Sequence, residues 1–174
     1  MGKNVIFLLA AFFIISSCKG QKNMIDKTVV KELDIDRYLG TWYEIARLDH
    51  SFERGLEKVT ADYSYRNDGG IKVVNRGFDP VKNKWKEAIG KAYFVEASDI
   101  GRLKVSFFGP FYGGYNIFLL DQKDYSYSVV CGPKKSYLWI LARTPHLDKK
   151  TVDELISKIN AYGFKTDELI YVKQ

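Results

Sequence analysis

The chain is poor in the residue types that carry catalysis and metal binding. Its 174 residues include two cysteines, Cys18 and Cys131, and two histidines, His50 and His146. Neither histidine has a partner at metal-ligand spacing, and no phosphate loop or serine-triad spacing occurs. No cofactor and no metal is therefore expected. Charge is also unconcentrated: 27 basic residues against 21 acidic give a formal net charge of +6, and no basic run exceeds the pairs Lys134-Lys135 and Lys149-Lys150. Such a distribution describes a solvated surface with weak attraction to anionic headgroups, and it comes with no nucleic-acid motif. No apolar run approaches the roughly 20 residues of a bilayer-spanning helix.

What apolar run there is lies at the N-terminus. Lys3 gives a short positive start, Val5 to Ile15 is unbroken apolar sequence, and Ser16, Ser17 and Cys18 follow. A charged start, an apolar centre of about ten residues and a small-residue exit describe a secretory signal over residues 1–17. Ile15-Ser16-Ser17-Cys18 resembles the bacterial lipobox, with Ile in place of the more usual Leu. That resemblance implies cleavage before Cys18 and attachment of lipid to it. Residues 18–34 then read as a lipidated N-terminus and flexible tether, and 35–174 as one domain. With Cys18 lipidated, only Cys131 is left, so no internal disulfide forms and packing alone must hold the fold.

From there on, turn signals recur every 8–14 residues, a rhythm of all-β sandwiches and barrels. Asn67-Asp68-Gly69-Gly70 is a hairpin turn, because these residues accept positive φ. Before it, Val59, Ala61, Tyr63 and Tyr65 alternate with Thr60, Asp62 and Ser64; Ile71, Val73 and Asn75 continue beyond it. Further turns at Asp79-Pro80, Asp99-Ile100-Gly101, Gly113-Gly114 and Gly132-Pro133 delimit Trp85–Glu96, Leu103–Phe108, Tyr115–Leu120, Tyr125–Cys131 and Tyr137–Arg143. With Thr41–Leu48 these make eight strands, enough to close an antiparallel up-and-down barrel around one small ligand. One helix interrupts the series. Asp148 is its N-cap, Val152, Leu155, Ile156, Ile159 and Tyr162 share a face, and Gly163 stops it. Tyr137 to Leu141 is apolar on both faces, so the helix is expected to pack outside that strand. Leu169–Val172 is a short ninth strand.

Gly40-Thr41-Trp42-Tyr43-Glu44 opens the first strand and Arg143 ends the eighth. Gly-x-Trp and Arg in these places resemble the lipocalins, in which the Arg lies across the Trp and plugs the barrel base. The lipocalin Thr-Asp-Tyr signature is kept only as Asp121, with Tyr125 after it. Four longer stretches, Leu39 to Arg47, Phe52 to Leu56, Val105 to Tyr115 and Tyr137 to Pro145, are similar to the bacterial lipocalins related to apolipoprotein D. The resemblance spans residues 36–174. It implies a lipid-anchored protein of the bacterial outer membrane, on its periplasmic or cell-surface face. It further implies a fatty acid or lysophospholipid ligand and a role in membrane maintenance under stress.

Period-2 alternation assigns the interior once one residue per strand is fixed. Arg143 must reach Trp42, which turns Leu141, Trp139 and Tyr137 inward; Trp42 inward brings Glu44 and Ala46 with it. Pattern and lipocalin analogy add Ala61, Tyr63, Val73, Asn75, Ala88, Gly90, Ala92, Val105, Phe107, Tyr115, Ile117 and Leu119. The small residues of the fourth strand leave volume for a ligand. Tyr63, Tyr115, Tyr137 and Asn75 offer polar contacts, and Trp139 and Phe107 apolar ones. Asp49 to Glu57 reads as a long first loop carrying Phe52 over the open end, with Phe111 on a second rim. Two other readings stand beside the carrier: an envelope scaffold with a filled barrel, and a lipocalin-type isomerase using Cys131. A homodimer through the rim aromatics is also left open. Glu44 is expected to partner Arg143 or Arg47.

Overall fold

The computed structural model describes residues 29–174. Eight strands form an antiparallel barrel: β1 (Gly40–Arg47), β2 (Glu57–Tyr65), β3 (Ile71–Asp79), β4 (Lys84–Phe94), β5 (Arg102–Phe108), β6 (Phe111–Leu120), β7 (Tyr127–Cys131) and β8 (Leu138–Ala142). Each strand pairs with its neighbour in sequence, and β1 pairs with both β2 and β8, which closes the sheet. Closure removes the free edges that an open sheet of this size would expose. The all-β, eight-stranded up-and-down barrel expected from the turn spacing is the observed one.

A short β9 (Ile170–Tyr171) pairs with Ala46 and Arg47 at the upper end of β1. β1 pairs with β2 only over Gly40 to Tyr43, so the two diverge above that point. The C-terminus occupies the gap: Lys58 N donates to Lys173 O at 2.6 Å, and Gln174 Nε2 donates to the carbonyls of Glu44 and Val59 at 2.6 and 3.1 Å.

Two apolar layers result. Inside the barrel, Trp42, Val73, Leu103, Ile117, Val130 and Leu141 belong to one cluster. Outside, α2 (Lys149–Ala161), the helix that follows the short α1 (Ile35–Tyr38) in the chain, presses Leu155 and Ile159 onto Leu138, Ile140 and Ala142, the outer face of β8. This is why β8 is apolar on both sides. Each buried Leu or Ile in that layer contributes about 1.5–3 kcal/mol. Asp148 caps α2, its carboxylate accepting from Thr151 N at 2.9 Å, and Gly163 ends it with φ of 77°. Asp148→Ala is expected to lower the thermal unfolding midpoint by about 2–4 °C.

Two bulges revise the face assignments. In β1, Glu44 stands opposite Leu141 but Ala46 opposite Ile140, so Ile45 is an extra residue. Ala46, expected inside, joins the outer cluster, and Arg47 turns inward opposite Trp139. In β6 a second shift falls between Ile117 and Leu119, which places Leu119 with the outer layer and returns Leu120 to the inner one. An inserted residue resets the period-2 count, and alternation carries no sign of it.

Within the tether expected over residues 18–34, the described part is docked on the barrel. Val30 N donates to Ile117 O at 2.9 Å, Gly101 N to Val30 O at 2.8 Å, and Leu33 N to Asp99 O at 2.8 Å. Leu33 is buried beneath the barrel, and α1 (Ile35–Tyr38), capped by Asp34, follows it. This segment seals the closed end, so its last part is docked structure. Lys31 and Glu32 between the apolar residues hid the signal. The signal segment and Cys18 lie outside the described residues.

Candidate ligand-binding site

The barrel base is a stack built on Trp42. Its indole N–H donates to Tyr38 O at 2.8 Å, and the Arg143 guanidinium lies 3.9 Å above the ring centroid. Arg143 also donates to the backbone carbonyls of Thr41 and Arg37, tying both chain segments to the end of β8. Asp121, the remnant of the third signature, accepts from Ser126 Oγ at 2.6 Å and orders the β6–β7 connection. Tyr125 beside it carries Arg37 at 4.2 Å from its ring and accepts a hydrogen bond from Asp34 N.

Above the base, three tyrosines form a tier. Tyr38 and Tyr115 hydroxyls are 2.9 Å apart, Tyr63 and Tyr115 hydroxyls 2.8 Å, and Tyr38 also meets Ser128 Oγ at 3.1 Å. Burial raises all three phenol pKa values, Tyr38 to about 12, so they act as neutral hydrogen-bonding groups.

The tier is the floor of a cavity of about 820 Å³. That volume falls in the range of small-molecule sites, roughly 300–1,000 Å³. Of the residues expected to face a ligand, Phe52, Ala61, Tyr63, Val73, Asn75, Ala88, Val105, Phe107, Phe111, Tyr115, Tyr137, Trp139 and Leu141 line it. Ala92 and Ile117 do not. They lie under the tyrosines in a space of about 10 Å³, too small for a ligand. β4 runs from the open end at Lys84 to the closed end at Phe94, and four residues of strand cover about 13 Å. Ala88 and Ala92 therefore face different levels of the barrel. Gly90, between them, leaves no volume either. A Cβ there would meet the Phe107 ring at 2.9 Å, so the glycine lets that ring lie against the sheet.

The sequence reading missed most of a buried polar cluster on the β1 wall. Because of the β1 bulge, Arg47 and Glu44 both point inward, and Arg47 Nη1 donates to Glu44 Oε1 at 2.7 Å. Its Nη2 donates to Glu53 O at 2.8 Å, and Trp139 Nε1 donates to Glu53 Oε2 at 2.9 Å. These bonds fold the β1–β2 loop down against the cavity, where Glu53 is 7% exposed. His50 from the same loop stacks on Phe52 and Tyr137 at 5.3 and 4.9 Å. Burial holds His50 below its ordinary pKa, helped by the nearby Arg47 charge. Glu44 is pushed up to about 8, first by burial and then by the Glu53 charge, with Arg47 opposing both. Glu53 is raised chiefly by burial. Of the two partners expected for Glu44, Arg47 is the one it has. A loop glutamate among Asp49, Arg54 and Glu57 gives no sequence signal that it will be buried.

The rim is aromatic and open. Phe108 is 82% exposed and Phe111 78%, while Lys91 and Lys104 lie 5.9 and 5.3 Å from the Tyr112 ring centroid. Cys131 is elsewhere. It packs in the outer layer with Leu155 and Ile159, and burial pushes its thiol up to about 12. A thiol so placed is neither ionised at neutral pH nor open to the cavity.

The sequence model of the lipocalin-like domain matches residues 33–174. The outer membrane lipoprotein Blc of Vibrio cholerae is 52% identical over 169 residues, covering 97% of this chain and 98% of the relative. Its namesake in Escherichia coli K12 is 50% identical over 164 residues, covering 94% and 92%. Mouse apolipoprotein D is 28% identical over 181 residues, covering 98% and 94%. Among solved structures, insecticyanin from the tobacco hornworm superposes with a TM-score of 0.67 at 20% identity, over 84% of each chain.

Proposed function

Since the chain belongs to the lipocalin-like family, we propose that it is a lipid carrier of the bacterial outer membrane. It holds one fatty acid or lysophospholipid in the barrel and serves envelope maintenance under stress. The observation that carries this reading is the cavity of about 820 Å³, open at one end, with apolar walls and a hydrogen-bonding floor. Its relatives at about half identity are named outer membrane lipoproteins, and the anchor here is lipid on Cys18. The exposed Phe108 and Phe111 put the mouth in reach of membrane lipid, and a second copy pairing through the same rim belongs to this reading too. The protein works by binding and does no chemistry on its ligand; the outward, neutral Cys131 favours that view over an isomerase.

The competing scaffold reading predicts a barrel that takes up no lipid. Ala88→Phe separates the two, because Ala88 lines the cavity where a phenyl ring has room. Native mass spectrometry of detergent-free protein titrated with palmitate or lysophosphatidylcholine should show a one-to-one adduct. The substitution should weaken binding by about tenfold or more while the fold keeps its stability. A wild-type protein that never acquires an adduct, with Ala88→Phe costing about 1–3 kcal/mol by overpacking, would establish the scaffold instead.

A further inference from the structure

Charge is unevenly placed around the cavity. The charged residues near its mouth, Arg76, Lys86, Glu87 and Lys134, are exposed to water. Arg76 and Lys86 are engaged there, Arg76 by Glu87 at 2.7 Å and Asp62 at 3.5 Å, Lys86 by Asp79 at 2.9 Å. Apart from the neutral tyrosines of the floor, the ionisable groups buried in the wall are two carboxylates, Glu44 and Glu53. Arg47 supplies a single positive charge to both; it is 2% exposed, bonded to Glu44, and not part of the lining. Two further buried polar atoms of lining residues have no hydrogen-bond partner among the described residues. They are Asn75 Oδ1, which is an acceptor, and Ser106 Oγ in a residue only 3% exposed. A buried acceptor without a donor is costly unless a ligand supplies one. Phe52, Tyr137 and Trp139 line the same wall, and aromatic rings near carboxylates are what quaternary ammonium groups seek.

We propose that the Glu44–Glu53 pair makes this cavity selective for ligands that present an ammonium group on an apolar chain, over ligands ending in a carboxylate. This rests on the carrier reading and narrows it: of the two lipid classes proposed there, fatty acids bind the more weakly. With both glutamates ionised, an ammonium supplies the second positive charge the wall lacks, and a primary ammonium also brings N–H donors for its free acceptors. A ligand carboxylate would instead place negative charge beside two glutamates that share one guanidinium and are held back from ionising together.

Proton linkage gives the selectivity a signature. The charged or titratable groups facing Glu44 are Arg47 on its own strand, Glu53 in the loop and Tyr63 on β2; β8 presents only Trp139 and Leu141. With its pKa raised to about 8, Glu44 carries a proton at neutral pH. A bound cation favours the carboxylate, so Glu44 releases that proton to solvent as the complex forms. Affinity for a non-titrating cation therefore rises as pH rises through 8, and affinity for an anion falls.

The test uses the protein with matched twelve-carbon probes below their aggregation concentrations: dodecyltrimethylammonium, dodecylamine, dodecanol and dodecanoate, together with lauroyl lysophosphatidylcholine. Titration calorimetry should rank dodecyltrimethylammonium about tenfold tighter than dodecanol and dodecanoate weakest. The first of these should tighten between about pH 6 and pH 9 with net proton release. Glu44→Gln and Glu53→Gln should each erase the preference for ammonium over alcohol. Dodecanoate binding as tightly as dodecyltrimethylammonium overturns the proposal, as does a preference that survives in both variants. Because the wild-type ranking stands alone, a variant that fails to fold does not shield it. Lysophosphatidylcholine matching the simple cation supports a lipid headgroup as the source; its exclusion beside tight dodecylamine supports a free amine. If no probe binds, dodecanol included, the carrier reading itself falls.

Discussion

Replacing Arg47 with methionine is expected to lower the stability of the barrel by about 3–5 kcal/mol above pH 8, where Glu44 is ionised, the usual cost of stranding a buried charge. The guanidinium is 2% exposed, and it satisfies Glu44 Oε1 and the Glu53 carbonyl together. Methionine fills much of the same volume but leaves both acceptors facing a low-dielectric wall. Urea unfolding at two pH values reads the cause. Glu44 has a folded pKa of about 8, above its ordinary 4.5. The folded state therefore holds a proton that the unfolded chain releases between these values. The stability associated with this group is complete below about pH 4.5 and declines as pH rises through 8. Loss of Arg47 removes an influence that lowers this pKa, so Arg47→Met should be most damaging above pH 8 and least near pH 4.5. Adding Glu44→Gln to the variant should restore much of the loss and flatten the dependence. Arg47→Met with wild-type stability at both ends would mean the cluster is hydrated in solution.

Trp42→Ala is expected to cost about as much, about 3–5 kcal/mol, through a different mechanism. The indole is fully buried, holds Arg143 over its face at 3.9 Å, and spends its N–H on Tyr38 O. Truncation opens a void at the base that the rigid closed sheet cannot collapse into. Thermal unfolding should show a large fall in midpoint that does not depend on pH. At temperatures where the variant remains folded, lipid affinity should stay within about threefold of wild type, because the tyrosine tier separates the base from the cavity. The comparison residue is Phe52, 60% exposed at the mouth, whose replacement by alanine should change stability by no more than about 0.5 kcal/mol. If Trp42→Ala weakened binding more than stability, the tier would not be the floor described here.

Much of the site was readable because a barrel strand has only two faces. Once Trp42 and Arg143 fixed the orientation of β1 and β8, alternation found Leu141, Trp139 and Tyr137, and strand by strand it found Tyr63, Val73, Asn75 and Tyr115. It failed where the count itself changed. Ile45 and the residue before Leu119 are bulges, so Ala46 and Leu119 went outward while Arg47 came in. It also carried no information on height along the barrel axis, which is why Ala92 and Ile117 were placed with Ala88 although they sit below the tyrosines. Glu53 and His50 were illegible for a third reason. A loop has no period, and only the chain's path across the opening brings Glu53 to Trp139 and His50 between Phe52 and Tyr137.

Resemblance to the lipocalins implied the aromatic plug at the base; by itself the sequence determined the rest of the architecture: eight strands, a closed sheet and an outer helix on β8. These follow from local rules, since turn residues, side-chain period and helix caps act over a few residues and leave their marks in order along the chain. The tertiary structure alone decided where the floor lies, which wall carries charge, and that two carboxylates share one guanidinium inside an apolar barrel. Those features depend on groups brought together from β1, β8 and the loop between β1 and β2. Their burial and pKa values are set by through-space desolvation and Coulomb interactions, which have no counterpart in the spacing of residues along a chain.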